Sequence, residues 1–190
     1  MKKPIQKMRI NTPHRSSLNS ITDDAPDIEY IRPLIEFTKS NFINKKSVPP
    51  IFLYEKDGDV QPVRVPVQLI NSEEGKNDLS NLIASAVSSF KPDSYCFISE
   101  TWVYKLEELD SKEEAMKAVA DFKKGIPSDK VTREEVVTFA VTKINSDASL
   151  DRWMGNMPIN RGSDDSITSF DSVRWIKAAG AKKLEGRLFV

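Results

Sequence analysis

The pattern of apolar and polar residues predicts two helices and a hairpin in the first half of the chain. Apolar residues recur at spacings of three and four from Pro26 to about Lys45 and again from Asn77 to Phe90, which is typical of amphipathic helices. Pro33 interrupts the first pattern, so that helix either kinks there or begins there. Between the helices, Asp57-Gly58 supplies the positive φ angles of a tight hairpin turn, and we expect the second hairpin strand to be an edge strand because it contains prolines.

The second half of the chain is predicted to consist mainly of strands. Tyr95 to Tyr104 and Arg133 to Ile144 are rich in branched and aromatic residues, although the second segment also satisfies helical spacing. Between them, Ser111-Lys112-Glu113-Glu114 is typical of a capping box and predicts a short helix. A further strand is expected around Leu150 to Met154, followed by a turn at Gly155 to Pro158.

The remaining segments complete a prediction of one domain. Phe170 to Lys177 fits either a short helix or a strand, whereas Leu184 to Val190 is predicted to be a last strand. Residues 1–25 lack periodicity and are predicted to form a flexible basic arm ahead of a single domain spanning residues 26–190. The predicted fold class is α+β: a mainly antiparallel sheet, with an N-terminal helix, a hairpin and a central amphipathic helix packed on one face.

Composition and charge narrow the class of protein further. The 190 residues include 28 basic and 28 acidic side chains, so no overall charge attracts the chain to nucleic acid or anionic lipid. No apolar run approaches the roughly 20 residues that span a bilayer, and no apolar signal-peptide region follows the first residues. The single cysteine, Cys96, fits a reducing compartment and leaves a dimer through that residue open. We therefore expect a cytoplasmic protein without membrane association.

Glu100 is the strongest candidate for catalytic chemistry. Alternation along the predicted strand places Glu100 on the same face as Ile98 and Trp102. If that face is buried, the pKa of the carboxyl group is raised and the group can serve as an acid or a base. In the alternative interpretation the strand reaches solvent at this point, or the carboxylate pairs with an arginine such as Arg133, Arg152 or Arg174.

Other catalytic and metal-binding patterns are disfavoured. His14, the single histidine, lies in the predicted arm, which argues against histidine-based triads and multi-histidine zinc sites. The sequence contains no phosphate-binding loop and no dinucleotide fingerprint. Four aspartates could in principle meet around a divalent cation, although turn chemistry explains them more simply: Asp147, Asp151, Asp164 and Asp165. We expect no metal and no cofactor.

The candidate binding residues form two groups. Tryptophan and arginine are enriched at protein interfaces, although a buried tryptophan beside a solvated arginine is the simpler alternative. This first group comprises Trp102, Arg133, Arg152 and Trp153. The positive charges of the arm could contact phosphates or an acidic protein, although a solvated tail is again simpler. This second group comprises Lys2, Lys3, Arg9 and Arg15.

Four short motifs carry a family resemblance. They are Phe97-Ile98-Ser99-Glu100-Thr101-Trp102, Gly125-Ile126-Pro127-Ser128, Arg133-Glu134-Glu135 and Glu185-Gly186-Arg187-Leu188. Together they resemble a group of uncharacterised bacterial and phage-type proteins, in which a Ser-Glu-Ala-Trp strand precedes a Pro-Ser loop and an Arg-Glu strand. Thr101 stands where that group has alanine. The resemblance covers roughly residues 50–190 and implies the order strand, loop, strand without an activity.

The sequence thus favours a non-catalytic protein-binding or regulatory function. Binding surfaces leave no sequence motif, whereas most enzyme classes do. The expected partner is another protein or a second copy of the chain. Two alternatives remain: a hydrolase-type enzyme that uses Glu100, and nucleic-acid binding through residues 1–15 of the arm.

Overall fold

The described residues of the computed structural model, 25–70, 72–106, 111–125 and 131–177, form an antiparallel sheet with helices packed against it. The helices are α1 (Ile31–Phe42), α2 (Glu73–Phe90) and α3 (Lys112–Lys123), with a 3₁₀ turn at Val67–Ile70. The strands are β1 (Ile51–Lys56), β2 (Asp59–Arg64), β3 (Ser94–Leu106), β4 (Val131–Ile144), β5 (Leu150–Arg161), β6 (Ile167–Phe170) and β7 (Arg174–Lys177). They lie in the order β2-β1-β3-β4-β5-β6, and β7 also pairs with β5. The α+β fold class with a mainly antiparallel sheet is confirmed.

The beginning of α1 explains how the helix tolerates Pro33. The helix begins at Ile31, so Pro33 lies in its first turn. Backbone N–H groups in the first turn have no partner within the helix, and a proline there removes no hydrogen bond. The helix therefore neither kinks at Pro33 nor begins there.

The hairpin of β1 and β2 is confirmed at its predicted turn. Asp57 has a φ of 53° and Gly58 a φ of 81°, as a two-residue turn with two left-handed positions requires. β2 contains Pro62 and lies at one end of the strand order, as predicted for an edge strand.

Side-chain caps set the beginnings of the next two helices. α2 begins at Glu73 rather than at Asn77, because the Ser72 hydroxyl accepts a hydrogen bond from the backbone N–H of Gly75 at 2.9 Å. Asn77 therefore lies inside the helix and does not cap it. The cap predicted for α3 is confirmed, since the Ser111 hydroxyl accepts from the N–H of Glu114 at 3.1 Å.

The predicted turn at Gly155–Pro158 is wrong, because β5 runs through it without interruption. β5 pairs with β4 from Leu150 to Pro158, and this ladder overrides the local turn signals. Gly155 is needed for space instead: a Cβ atom at this position would lie 2.6 Å from the ring of Trp175. The ambiguous segment from Phe170 to Lys177 holds the end of β6 and all of β7, so it is strand rather than helix.

The core has two parts, one on each face of the sheet. Ile31 and Leu34 of α1 pack with β-strand residues on one face; the central strand residues of this cluster are Leu53, Cys96, Ile98, Val137 and Phe139. Leu79 and Ile83 of α2 pack on the other face; their strand partners are Phe52, Tyr95, Phe97 and Ala140. The prediction that the helices share one face is therefore wrong, because neighbouring strand residues point to opposite sides and both sides are apolar here.

Some predictions fall outside the described residues. They include the arm up to Asp24 and the predicted strand at Leu184–Val190. Among the helices that the structure describes, none has both the length and the apolar character needed to cross a membrane.

Candidate functional site

Glu100 lies in a partly buried cluster with Glu135 and Arg161. Glu100 of β3 faces Val137 of β4, and alternation brings Glu135 to the same side of the sheet. The side chain of Glu100 is 19% exposed, that of Glu135 8% and that of Arg161 14%. The prediction that an arginine pairs with Glu100 is thus correct in kind, but the arginine is Arg161 and not one of the three that the sequence indicated.

The Arg161 guanidinium connects four separate parts of the chain. Its Nη2 lies 3.2 Å from Oε1 of Glu100 and donates to Oε1 of Glu135 at 3.0 Å, while its Nε donates to Oε2 of Glu135. Its Nη1 donates to the backbone carbonyls of Lys46 at 3.0 Å and Asp165 at 2.8 Å. Arginine suits this position because its planar group holds several donors in fixed directions.

The environment of Glu100 favours its protonated form. Burial, and then a hydrogen bond with the Glu135 carboxylate, raise the pKa of Glu100 to about 7, against the lowering effects of the Val48 N–H and Arg161. That N–H donates to Oε2 of Glu100 at 3.0 Å. The hydrogen bond from Arg161 to Glu135 raises the pKa of Arg161 above its ordinary value. One proton can therefore reside between the two carboxyl groups near neutral pH.

A cleft lies beside this cluster, where β4 and β5 separate. Their pairing ends at Val136 and Pro158, and Pro158 has no N–H with which to extend the ladder. Beyond this point β4 continues along β3, and β5 continues along β6. The fork between them holds an open cleft of about 420 Å³, whose charged and aromatic lining residues are Trp102, Arg133, Glu134, Glu135, Arg161 and Asp171. Glu100 is not among the residues that line it.

Trp102 and Arg133, two of the predicted binding residues, contact each other at this cleft. The guanidinium carbon of Arg133 lies 3.9 Å from the centroid of the Trp102 ring, which is a cation–π contact. Arg133 is exposed and Trp102 is half-buried. Next to them, Glu134 forms an ion pair with Arg174 of β7. The rim of the cleft therefore presents an aromatic ring and charged groups to solvent.

The other predicted binding residues do not join this site. Trp153 is 5% exposed and belongs to the core, and the Nζ atom of Lys177 lies 4.9 Å from its ring. Arg152 immediately precedes Trp153 in β5 and therefore points to the opposite face, beside Thr142. Trp153 and Arg152 thus form no joint surface. The four arm residues lie outside the described residues: Lys2, Lys3, Arg9 and Arg15.

Turn formation accounts for two of the four candidate metal-binding aspartates. Asp147 accepts from the N–H and hydroxyl of Ser149 at 2.9 and 2.5 Å, and these hydrogen bonds lower its pKa. Asp164 accepts from Ser166 in the same way at 3.1 and 2.6 Å, with the same effect on its pKa. Within the described ranges, no three His, Cys, Asp or Glu side chains are grouped so that they could hold a metal ion.

Glu135 and Arg161 were missed because their roles depend on the fold. A sequence signal existed for Glu135, since alternation in a paired β4 puts it on the same face as Val137. No comparable signal existed for Arg161, because the predicted turn at Gly155–Pro158 hid the end of β5. With the geometry in hand, comparisons with known proteins add nothing further: no protein-family model, curated protein or solved structure matches this chain.

Proposed function

We propose that the protein is non-catalytic and binds another protein through the cleft between β4 and β5. The observation that carries this proposal is the stacked pair of Trp102 and Arg133 on the cleft rim. Tryptophan and arginine are the residues that most often dominate the energy of protein interfaces. None of the described residues forms an ion pair with Arg133, so the edge of its guanidinium can donate to a carboxylate or carbonyl of the partner.

The composition of the cleft also supports a protein partner. Pro158 and Ile159 contribute apolar groups to its lining, while Glu134, Asn160 and Asp171 add polar groups. Protein interfaces usually combine apolar groups with polar groups in this way. An extended segment of a partner that carries an acidic side chain would satisfy both Trp102 and Arg133.

Affinity purification from the native host, with nuclease treatment and quantitative mass spectrometry, tests the binding function. We expect W102A and R133E to lower recovery of a stoichiometric partner roughly tenfold or more, as loss of a dominant interface residue does. R64E is the matched control, because Arg64 is an exposed arginine on β2 at the far end of the sheet. Full recovery of every nuclease-resistant partner by both cleft variants would contradict the proposal.

A hydrolase-type enzyme is the second candidate. It is favoured by the carboxyl pair, because the pKa of Glu100 is about 7 and a general acid or base works best near the ambient pH. It is disfavoured because Val48 and Arg161 engage both oxygens of Glu100, and because Glu135 rather than Glu100 lines the cleft. If the protein turns over an ester, glycoside or peptide substrate, and this activity is lost in E100Q and retained in R133E, the protein is an enzyme of this type rather than a binding protein.

Nucleic-acid binding through the arm is a third candidate, and it depends on the five basic residues among positions 1–15. A gel-shift comparison of the full chain with a chain lacking residues 1–20 tests it, and equal affinity would exclude it.

A second copy of the chain is an alternative occupant of the cleft. Light scattering of wild type and W102A distinguishes it, because self-association through the cleft would be weaker in W102A. A bacterial or phage origin, a regulatory role and a cytoplasmic location stay predictions from the sequence.

A further inference from the structure

We propose that Glu100 and Glu135 share one proton, and that this proton controls how tightly residues 44–48 are held against the sheet. The inference concerns the cluster beside the cleft and goes beyond the binding function. Its test requires no partner, so it can fail while the binding function stands.

The balance of charge around Arg161 is the first argument. Among the described residues, three carboxylates face this guanidinium: Glu135 of β4 and Glu100 of β3 contact it directly, and Asp165 in the turn after β5 lies 3.9 Å from its Nε. The carbonyl of Lys46 also contacts Arg161, but the positive charge of Lys46 acts on Asp164, whose pKa it lowers. Since the Glu100 and Glu135 side chains are mostly removed from water, a bound proton offsets the excess negative charge.

The hydrogen bonds of residues 44–48 are the second argument, because the same cluster holds this segment. The N–H of Val48 donates to Oε2 of Glu100, and the carbonyl of Lys46 accepts from Arg161. The segment is also joined to β6: the N–H of Asn44 donates to the carbonyl of Ile167 at 2.8 Å, and the N–H of Ile167 donates to the carbonyl of Lys45 at 2.8 Å. A change at Glu100 therefore acts on one end of a segment that β6 holds at the other.

Loss of the proton changes these contacts in a defined direction. In the protonated state, one oxygen of Glu100 donates its O–H to Glu135 while Oε2 accepts from Val48. When the proton leaves to solvent, two carboxylates on adjacent strands repel each other and both compete for Arg161. Arg161 then donates less favourably to the carbonyl of Lys46, and residues 44–48 loosen. Because the pKa of Glu100 is about 7, this change occurs near neutral pH.

NMR spectroscopy of the full chain between pH 5.5 and 8.5 tests both parts of the proposal. The amide shift of Val48 reports the ionisation of Glu100 and is expected to titrate with a midpoint of about 7. Exchange protection of the Asn44 and Ile167 amides, corrected for the intrinsic effect of pH, is expected to fall roughly tenfold across the same midpoint.

Three variants separate the shared proton from a merely buried carboxyl group. E100Q imitates the protonated state, because glutamine keeps an acceptor for Val48 and a donor for Glu135, so protection should stay high at every pH. E135Q removes the repulsion between the two carboxylates and should move the Val48 midpoint lower by roughly one pH unit or more. E36Q is the control, because Glu36 is an exposed carboxylate of α1 that pairs with Lys39, and it should leave the midpoint unchanged.

Three outcomes would overturn the proposal. A Val48 amide shift that does not titrate between pH 5.5 and 8.5 in the wild type would show that Glu100 does not lose a proton near neutral pH. An unchanged midpoint in E135Q would show that the two carboxyl groups share no proton. Constant protection of Asn44 and Ile167 through the Val48 titration would show that the proton does not control residues 44–48. The wild-type and E135Q measurements decide the matter even if E100Q does not fold.

Discussion

Arg161 illustrates how one side chain can hold together distant parts of a sequence. It is 26 residues from Glu135 and 115 residues from Lys46, and it contacts both. Taking a charge out of water is costly, and good geometry with several hydrogen bonds is what offsets the cost. Arg161 fulfils this condition because its three nitrogens all have partners. Glu135 depends on it, since 8% exposure leaves that carboxylate little solvent.

Replacement of Arg161 by leucine should strongly destabilise the fold. R161L leaves Glu135 buried without its cation, and we expect the free energy of unfolding at pH 7 to fall by about 3 kcal/mol. Urea denaturation followed by tryptophan fluorescence measures the loss. R174L is the control, because the Arg174–Glu134 pair lies at the surface with Arg174 49% exposed, and we expect a loss of less than about 1 kcal/mol. Equal losses in the two variants would show that burial does not distinguish the pairs.

At the scale of whole elements, β5 shows where local sequence and long-range structure disagree. The hairpin turn at Asp57-Gly58, the Ser111 cap and the strand character of β4 were predictable, because each depends on residues close in sequence. The full length of β5 was not predictable, since glycine at 155 and proline at 158 favour a turn. The segment is a strand because β4 pairs with both residues and β7 pairs with Gly155. Pairing contributes a row of hydrogen bonds that outweighs the weak local preference of these residues.

Addition of a single methyl group at Gly155 should test its role as a spacer. In G155A the new Cβ meets the Trp175 ring at distances of 2.6–2.8 Å, so we expect the free energy of unfolding to fall by about 2 kcal/mol through overpacking. Thermal unfolding monitored by circular dichroism measures this loss. In the control G162A, the nearest atoms belong to the side chains of Asp164 and Thr168, both exposed, at 3.1 and 3.2 Å. If both substitutions cost the same, the close approach of Trp175 is not what requires glycine.

The candidate site belongs to the scale of the whole molecule, and sequence reasoning found only part of it. Glu100 and Trp102 stood out because alternation in a single strand puts an acid among apolar residues. Arg161 and the cleft came only from the meeting of β3, β4 and the end of β5, whereas alternation along β4 gave a signal for Glu135 that needed the pairing with β3 to be recognised. No local pattern encodes where two strands separate.

Stability of the whole molecule should depend on pH through Glu100. Folding raises the pKa of this carboxyl from 4.5 to about 7, so its contribution is complete below pH 4.5 and is lost as pH rises to about 7. We expect the free energy of unfolding to fall by about 2 kcal/mol over this range, after allowance for solvent screening of a partly exposed group. Urea titrations at half-unit pH steps measure the change, and E100Q should lack it.

The opposite slope should appear only in more acidic solution. Hydrogen bonds lower the pKa of three exposed aspartates, so their contributions are lost as pH falls below about 4. They are Asp93, Asp147 and Asp164. A stability that instead rises between pH 5 and 7 in the wild type would contradict the assignment of a raised pKa to Glu100.

The hydrogen bonds between residues 44–45 and Ile167 also bear on aggregation. An open sheet edge offers unpaired N–H and C=O groups to strands of other molecules, which is how many sheets polymerise. At the β6 end, the N–H and the carbonyl of Ile167 are both hydrogen-bonded to the chain that follows α1. At the β2 end, Pro62 has no N–H to offer. Ile167 and Pro62 thus each disfavour the addition of a foreign strand at their own end of the strand order, so we expect the native sheet to resist edge-to-edge polymerisation at these two places.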